Sequence, residues 1–161
     1  MKRILLLCVV AGALAITATI SAASSTDGTL SVKRGRGLIV LKLRGTVIGS
    51  MANGSVRIRD FTPFDGQSPQ FRHCKVHRVS ASTTVCTGRK LSFRALDGHY
   101  AVRTKGSGIF LSAVGRGTVM MDGADFPTTS DGVMSFDGGP YQPVPYIPTN
   151  YTLGSTPPSR N

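Results

Sequence analysis

The chain contains no glutamate and no tryptophan, and all eight of its acidic residues are aspartate. Glutamate favours helices and aspartate does not, while glycine, threonine, serine, valine and arginine are abundant, so few helices are expected. Acid of any kind is scarce: 19 Lys and Arg stand against those eight aspartates, a formal net charge of +11. After the N-terminal apolar stretch no second long hydrophobic run occurs, so the rest of the chain carries no further candidate span. Cysteine is limited to three residues.

What is present first sets a compartment. Residues 1–23 have the three parts of an export signal: Lys2 and Arg3, an apolar run over 4–20, and small residues ending in Ser21-Ala22-Ala23. The run falls somewhat short of the roughly 20 apolar residues that cross a bilayer, so cleavage after Ala23 is expected, with an uncleaved membrane anchor as the alternative. Removing the leader takes Lys2 and Arg3 with it and leaves a secreted or extracytoplasmic chain of formal charge +9. Cys74 and Cys86 survive processing, and an oxidising compartment favours a bridge between them. A metal site built on His73, Cys74, His77 and Cys86 is the competing reading. Its spacing matches no usual structural zinc pattern, and Arg72, Lys75 and Arg78 crowd it with positive charge, so neither metal nor cofactor is expected.

Two stretches read as copies sixty-one residues apart, residues 30–48 and 91–109. Identical pairs are Leu30/Leu91, Ser31/Ser92, Gly37/Gly98, Gly45/Gly106 and Ile48/Ile109, and cations exchange at Lys33/Arg94, Lys42/Arg103 and Arg44/Lys105. Internal similarity of this kind fixes the architectural unit. Turn signals at Arg36-Gly37 and Asp97-Gly98 predict a β-hairpin in each copy, with Val32 opposite Leu41 and Phe93 opposite Val102. A third strand follows in each, over 55–59 and 118–121. The expected fold is all-β, a small barrel or two-sheet sandwich built from an internal duplication of a three-stranded unit. The duplicated domain would span residues 24–137, with repeats over about 30–59 and 91–122. Residues 138–161, with six prolines, Tyr141, Tyr146, Tyr151 and the single charge of Arg160, read as an extended tail that builds no core, a spacer or docking strand.

Side chains alternate across a strand, so Val32, Ile39, Leu41, Leu43, Phe93, Tyr100 and Val102 should turn inward. The opposite face then carries Lys33, Lys42, Arg44, Arg57, Arg59, Arg94, Arg103 and Lys105, which are the candidate anion-binding residues. Anionic envelope polymers or lipid head groups are the partners this implies. The bland alternative is a merely solvated face, since exposed strand positions are polar in any case and Lys or Arg there also blocks edge aggregation. Nucleic acid is not the expected partner, because readers on β-surfaces add outward aromatics for stacking, and Phe93 and Tyr100 fall on the inward parity.

No catalytic residues are assigned. His73, His77 and His99 with Asp60, Asp65 or Asp97 supply acid–base types without a recognisable spacing, so a secreted hydrolase using a His/Asp pair near 61–88 is only the alternative to a non-enzymatic module. The glycines of Gly106-Ser107-Gly108 and Gly115-Arg116-Gly117 are better explained by β-bends than by phosphate cradling, because no helix is predicted after them. The run over 105–118, from Lys105-Gly106-Ser107-Gly108 through Ile109-Phe110-Leu111 to Gly115-Arg116-Gly117-Thr118, together with Asp137-Gly138-Gly139-Pro140-Tyr141, resembles small exported bacterial β-rich proteins of unknown function. That resemblance implies no activity.

Overall fold

The computed structural model describes residues 27–124 and 131–154. The expected signal peptide and the last residues of the tail, 155–161, lie outside them. The described chain is all-β in a single antiparallel sheet, with no helix. Two very long strands make most of it, β1 (Gly28–Asp60) and β4 (Thr83–Asp122). Five short ones border them: β2 (Gln70–Arg72), β3 (Lys75–Ser80), β5 (Val133–Phe136), β6 (Gln142–Pro143) and β7 (Thr149–Leu153).

Neither expected hairpin forms. The two long strands pair with each other rather than folding back on themselves: Val32 faces Leu111 and Met134, Leu41 faces Val102 and Val119, and Phe93 faces Gly49 and Phe71. The turn sequence Asp97-Gly98 serves instead as a bulge, where Leu96 and Asp97 together oppose Thr46 between the pairs Gly45/Gly98 and Val47/Ala95. Asp97 takes a left-handed backbone there, its amide donates to Thr46 Oγ1 at 3.1 Å, and that hydroxyl donates to Asp97 Oδ1 at 3.0 Å. Turn chemistry is thus satisfied without reversing the chain. Period-two alternation could not tell the two pairings apart, because both bury the same side chains.

The pairing also makes the sheet wind. Val40 lies between Arg103 and Met120, and Arg57 lies between Val85 and Arg103, so Val40 and Arg57 flank the same residue although seventeen positions separate them. Those positions span about 56 Å when extended, yet their ends are only two strand spacings apart, about 10 Å. The ribbon of β1 and β4 must therefore coil through a full turn. Because it spirals, β2 and β3 on one border do not pair with β5, β6 or β7 on the other, and the expected barrel does not close. Strands bend together at paired glycines, Gly45 against Gly115 and Gly54 against Gly106, all with positive φ. A Cβ on any of the four would strike the facing strand's backbone, which is why two chains can turn this corner so closely.

The core lies inside the coil. Val32, Ile39, Leu41, Leu43, Phe93, Tyr100 and Val102 are all buried, with Leu30, Val47, Ile58, Leu91, Ile109 and Met121. Each such aliphatic side chain contributes about 1.5–3 kcal/mol by leaving water. Tyr100 is satisfied by donating its hydroxyl to the Leu96 carbonyl at 3.0 Å, and burial, then Asp60, pushes its pKa up to about 12. In the proline-rich segment β6 and β7 add to the sheet as extended strands, and, where no core residue was expected, Val144 and Leu153 join the core. Edge positions tolerate the missing proline amide at Pro143, and Tyr151 rests on Phe136 with ring centroids 4.8 Å apart.

Candidate anion-binding surfaces

All eight candidate cations are exposed. The register divides them into two groups. Arg57 and Arg103 are direct partners on adjacent strands. Arg59 and Lys42 flank Ala101 in the next outward row, Arg44 lies between His99 and Arg116, and Lys105 lies between Ser55 and Leu38. Six cations therefore share one outward face of the wound sheet: Lys42, Arg44, Arg57, Arg59, Arg103 and Lys105. Two hollows pit this face. One of about 260 Å³ is lined by Ser55, Arg57, Val85, Arg103 and Lys105. The other, about 840 Å³, includes Asp27, Lys42, Arg44, His99, Arg116 and Thr118 in its lining.

Charge on this face is little compensated. Asp27 accepts a 3.1 Å ion pair from Arg116 Nε, but among the described residues none of the six candidates pairs with a carboxylate. Phe61, which follows β1 in an irregular segment, is an aromatic that sequence reasoning missed. Arg59 Cζ lies 5.0 Å and Lys42 Nζ 5.9 Å from its ring centroid, and the His99 ring is 4.4 Å away. Such contacts hold cationic heads in position at a cost in freedom already met in the free protein. Phe61 is anchored by its own amide, which donates to the His99 carbonyl at 2.9 Å. Burial of His99, followed by the charges of Arg44 and Lys42, holds its imidazole below the usual 6.5.

Lys33 and Arg94 stand elsewhere, on opposite sides of a third hollow of about 540 Å³. Lys33 Nζ lies 4.1 Å above the Tyr141 ring, and the Tyr141 hydroxyl is 3.0 Å from Ser31 Oγ. Hydrogen bonding by Lys33, then Ser31, lowers the phenol's pKa. Arg94 Nε donates to Gln70 Oε1 at 2.9 Å.

The segment between the long strands is stapled by a Cys74–Cys86 disulfide with Cα atoms 5.7 Å apart. Both sulfurs are thereby committed, and among the described residues no group of three His, Cys, Asp or Glu could hold a metal ion. His73 sits exposed in the turn before β3 with a left-handed backbone, and His77 is exposed on β3 opposite Val85. Among the described residues neither is hydrogen-bonded to an aspartate. The aspartates of this region shape turns: Asp60 accepts from the Thr62 amide at 2.9 Å, and Asp65 from the Gln67 amide at 2.9 Å and the Thr62 hydroxyl at 2.7 Å. No described helix is long and apolar enough to cross a membrane.

No protein-family model matches the chain, and neither a curated protein nor a solved structure is found similar to it.

Proposed function

We propose that this protein is a non-enzymatic extracytoplasmic module that holds linear anionic polymers, phosphate-bearing ones foremost, on the outward face of Lys42, Arg44, Arg57, Arg59, Arg103 and Lys105. The observation that carries this reading is the direct opposition of Arg57 and Arg103, with no carboxylate among the described residues paired to either. Like charges facing each other across a ladder destabilise a sheet, so a partner that neutralises them supplies the missing counter-charge. Arginine's forked donors suit phosphate and carboxylate oxygens, and four of the six cations are arginine. Export through the N-terminal leader accords with the Cys74–Cys86 bridge.

The same reading takes the two similar stretches as an ancient duplication whose copies have interleaved into a two-layered coil. Repeat-related cations support it, since Lys42 with Arg103 and Arg44 with Lys105 share one face, while Lys33 and Arg94 flank one hollow.

Retention on immobilised long-chain polyphosphate, followed as salt is raised, tests the proposal. Retention should fall steeply with salt and should drop further on charge reversal at Lys42, Arg44, Arg103 and Lys105 than at Lys75 and Arg89. Equal losses from the two sets would reduce the effect to bulk charge and remove the site.

A further inference from the structure

We propose that the hollow between Lys33 and Arg94 is a second, separate site, which binds one single-chain acyl amphiphile with an anionic head. This goes beyond the polyanion face, because it uses a different surface and a different chemistry. Ile48 and Phe110 lie on the outward side of neighbouring strands, 50% and 48% exposed, and their ladder partners there are Arg94 and Ser112 for Ile48 and Ser50 for Phe110. Between Ile48 and Ser50 the Gly49 backbone floors the hollow, and the buried Phe93 ring packs against that glycine from the core side. The hollow that Ile48 and Phe110 line, about 540 Å³, falls within the roughly 300–1,000 Å³ of small-molecule sites.

Charge decides the head group. Among the described residues the lining holds Lys33, Arg72 and Arg94 and no carboxylate. Lys33 is already engaged with Tyr141. Arg94 is the better receptor: Gln70 takes its Nε hydrogen and fixes the guanidinium plane, which leaves the terminal donors for a carboxylate. Arg94 is also the direct ladder partner of Ile48, so a head held there feeds its chain straight onto Ile48 and Phe110. Lys33 lies three strands from Arg94, about 14 Å at the usual spacing, and bounds the far end.

Isothermal titration of the purified protein with sodium decanoate, kept below its micelle-forming concentration, tests the site. Saturable binding to one site per chain is expected, with decanol weaker by about tenfold or more for want of the charged head. Arg94→Gln and Phe110→Ser should each weaken decanoate by about tenfold, whereas Lys42→Gln on the other face should leave it unchanged. Both altered side chains are exposed, and circular dichroism on each variant checks that the sheet persists. Absence of saturable binding, equal affinity for decanol, or indifference to Arg94→Gln and Phe110→Ser would each overturn the proposal. Binding only to phosphatidylglycerol vesicles, with none to monomeric decanoate, would also overturn it and make the patch a membrane contact.

Discussion

Arg57 and Arg103 face each other across adjacent antiparallel strands, both in solvent, with no carboxylate among the described residues paired to either. Relieving that repulsion should help the fold and harm binding. Arg57→Thr and Arg103→Thr are each expected to stabilise the protein by about 0.5 kcal/mol while weakening its hold on polyphosphate. Urea midpoints together with retention measurements check both halves. A variant that lost stability would show that the arginines serve packing instead.

The glycine corners should be far less tolerant. Gly45→Ala or Gly115→Ala adds a methyl group against the facing backbone at a positive φ, so each should cost about 2 kcal/mol or more. Gly66→Ala makes the control for φ, since its backbone is also left-handed but nothing lies within 4 Å of the added carbon. Denaturation of the three variants side by side separates steric collision from backbone strain. Equal costs at all three would contradict the account of the bend.

The disulfide ties the irregular connection to a core strand. Cys86 is fully buried and Cys74 packs against the same cluster. Replacing both by alanine should cost about 3 kcal/mol, mainly by freeing the unfolded chain. Chemical denaturation with and without reductant measures it: the parent protein should lose stability on reduction, and the double variant should be indifferent to reductant.

Acidification should weaken the fold through His99. Its folded-state pKa lies below the ordinary 6.5, first because of burial and then because of Arg44 and Lys42. The stability it contributes is therefore present above about pH 6.5 and is lost as pH falls through the depressed folded value. Between pH 7 and 5 the denaturation midpoint of the parent should fall more than that of His99→Gln. Polyphosphate on the basic face should move the imidazole titration back upward, which NMR of the ring protons follows, because the anion offsets Arg44 and Lys42. A titration unmoved by the polymer would separate His99 from the binding face.

The parity of the long strands was legible because alternation is local. Leu41 turns in and Lys42 turns out whichever strand lies beside them, and the outward cations followed from the same rule. Partner choice was not legible. The hairpin pairing of Leu41 with Val32 and the observed pairing of Leu41 with Val102 bury the same residue, so only the whole ladder distinguishes them. The Asp97-Gly98 signal misled for a related reason: Thr46, fifty-one positions away, turns a hairpin motif into a bulge. Phe61 beside Lys42 and Arg59, and Ile48 beside Phe110, arise from contacts between distant segments that carry no local signature. Val144 and Leu153 entered the core despite the surrounding prolines because the edge of a sheet tolerates a missing donor.

The most direct measurement of the central claim is the salt dependence of polyphosphate affinity for the parent and for single neutralisations of the basic face. The logarithm of the binding constant should fall linearly with the logarithm of salt, and the slope should shrink by about one for each of Arg57→Thr, Arg103→Thr and Lys42→Gln. Arg89→Gln should leave it unchanged. Slopes that respond equally to Arg89→Gln, or a protein that binds no polyphosphate even at low salt, would contradict the account.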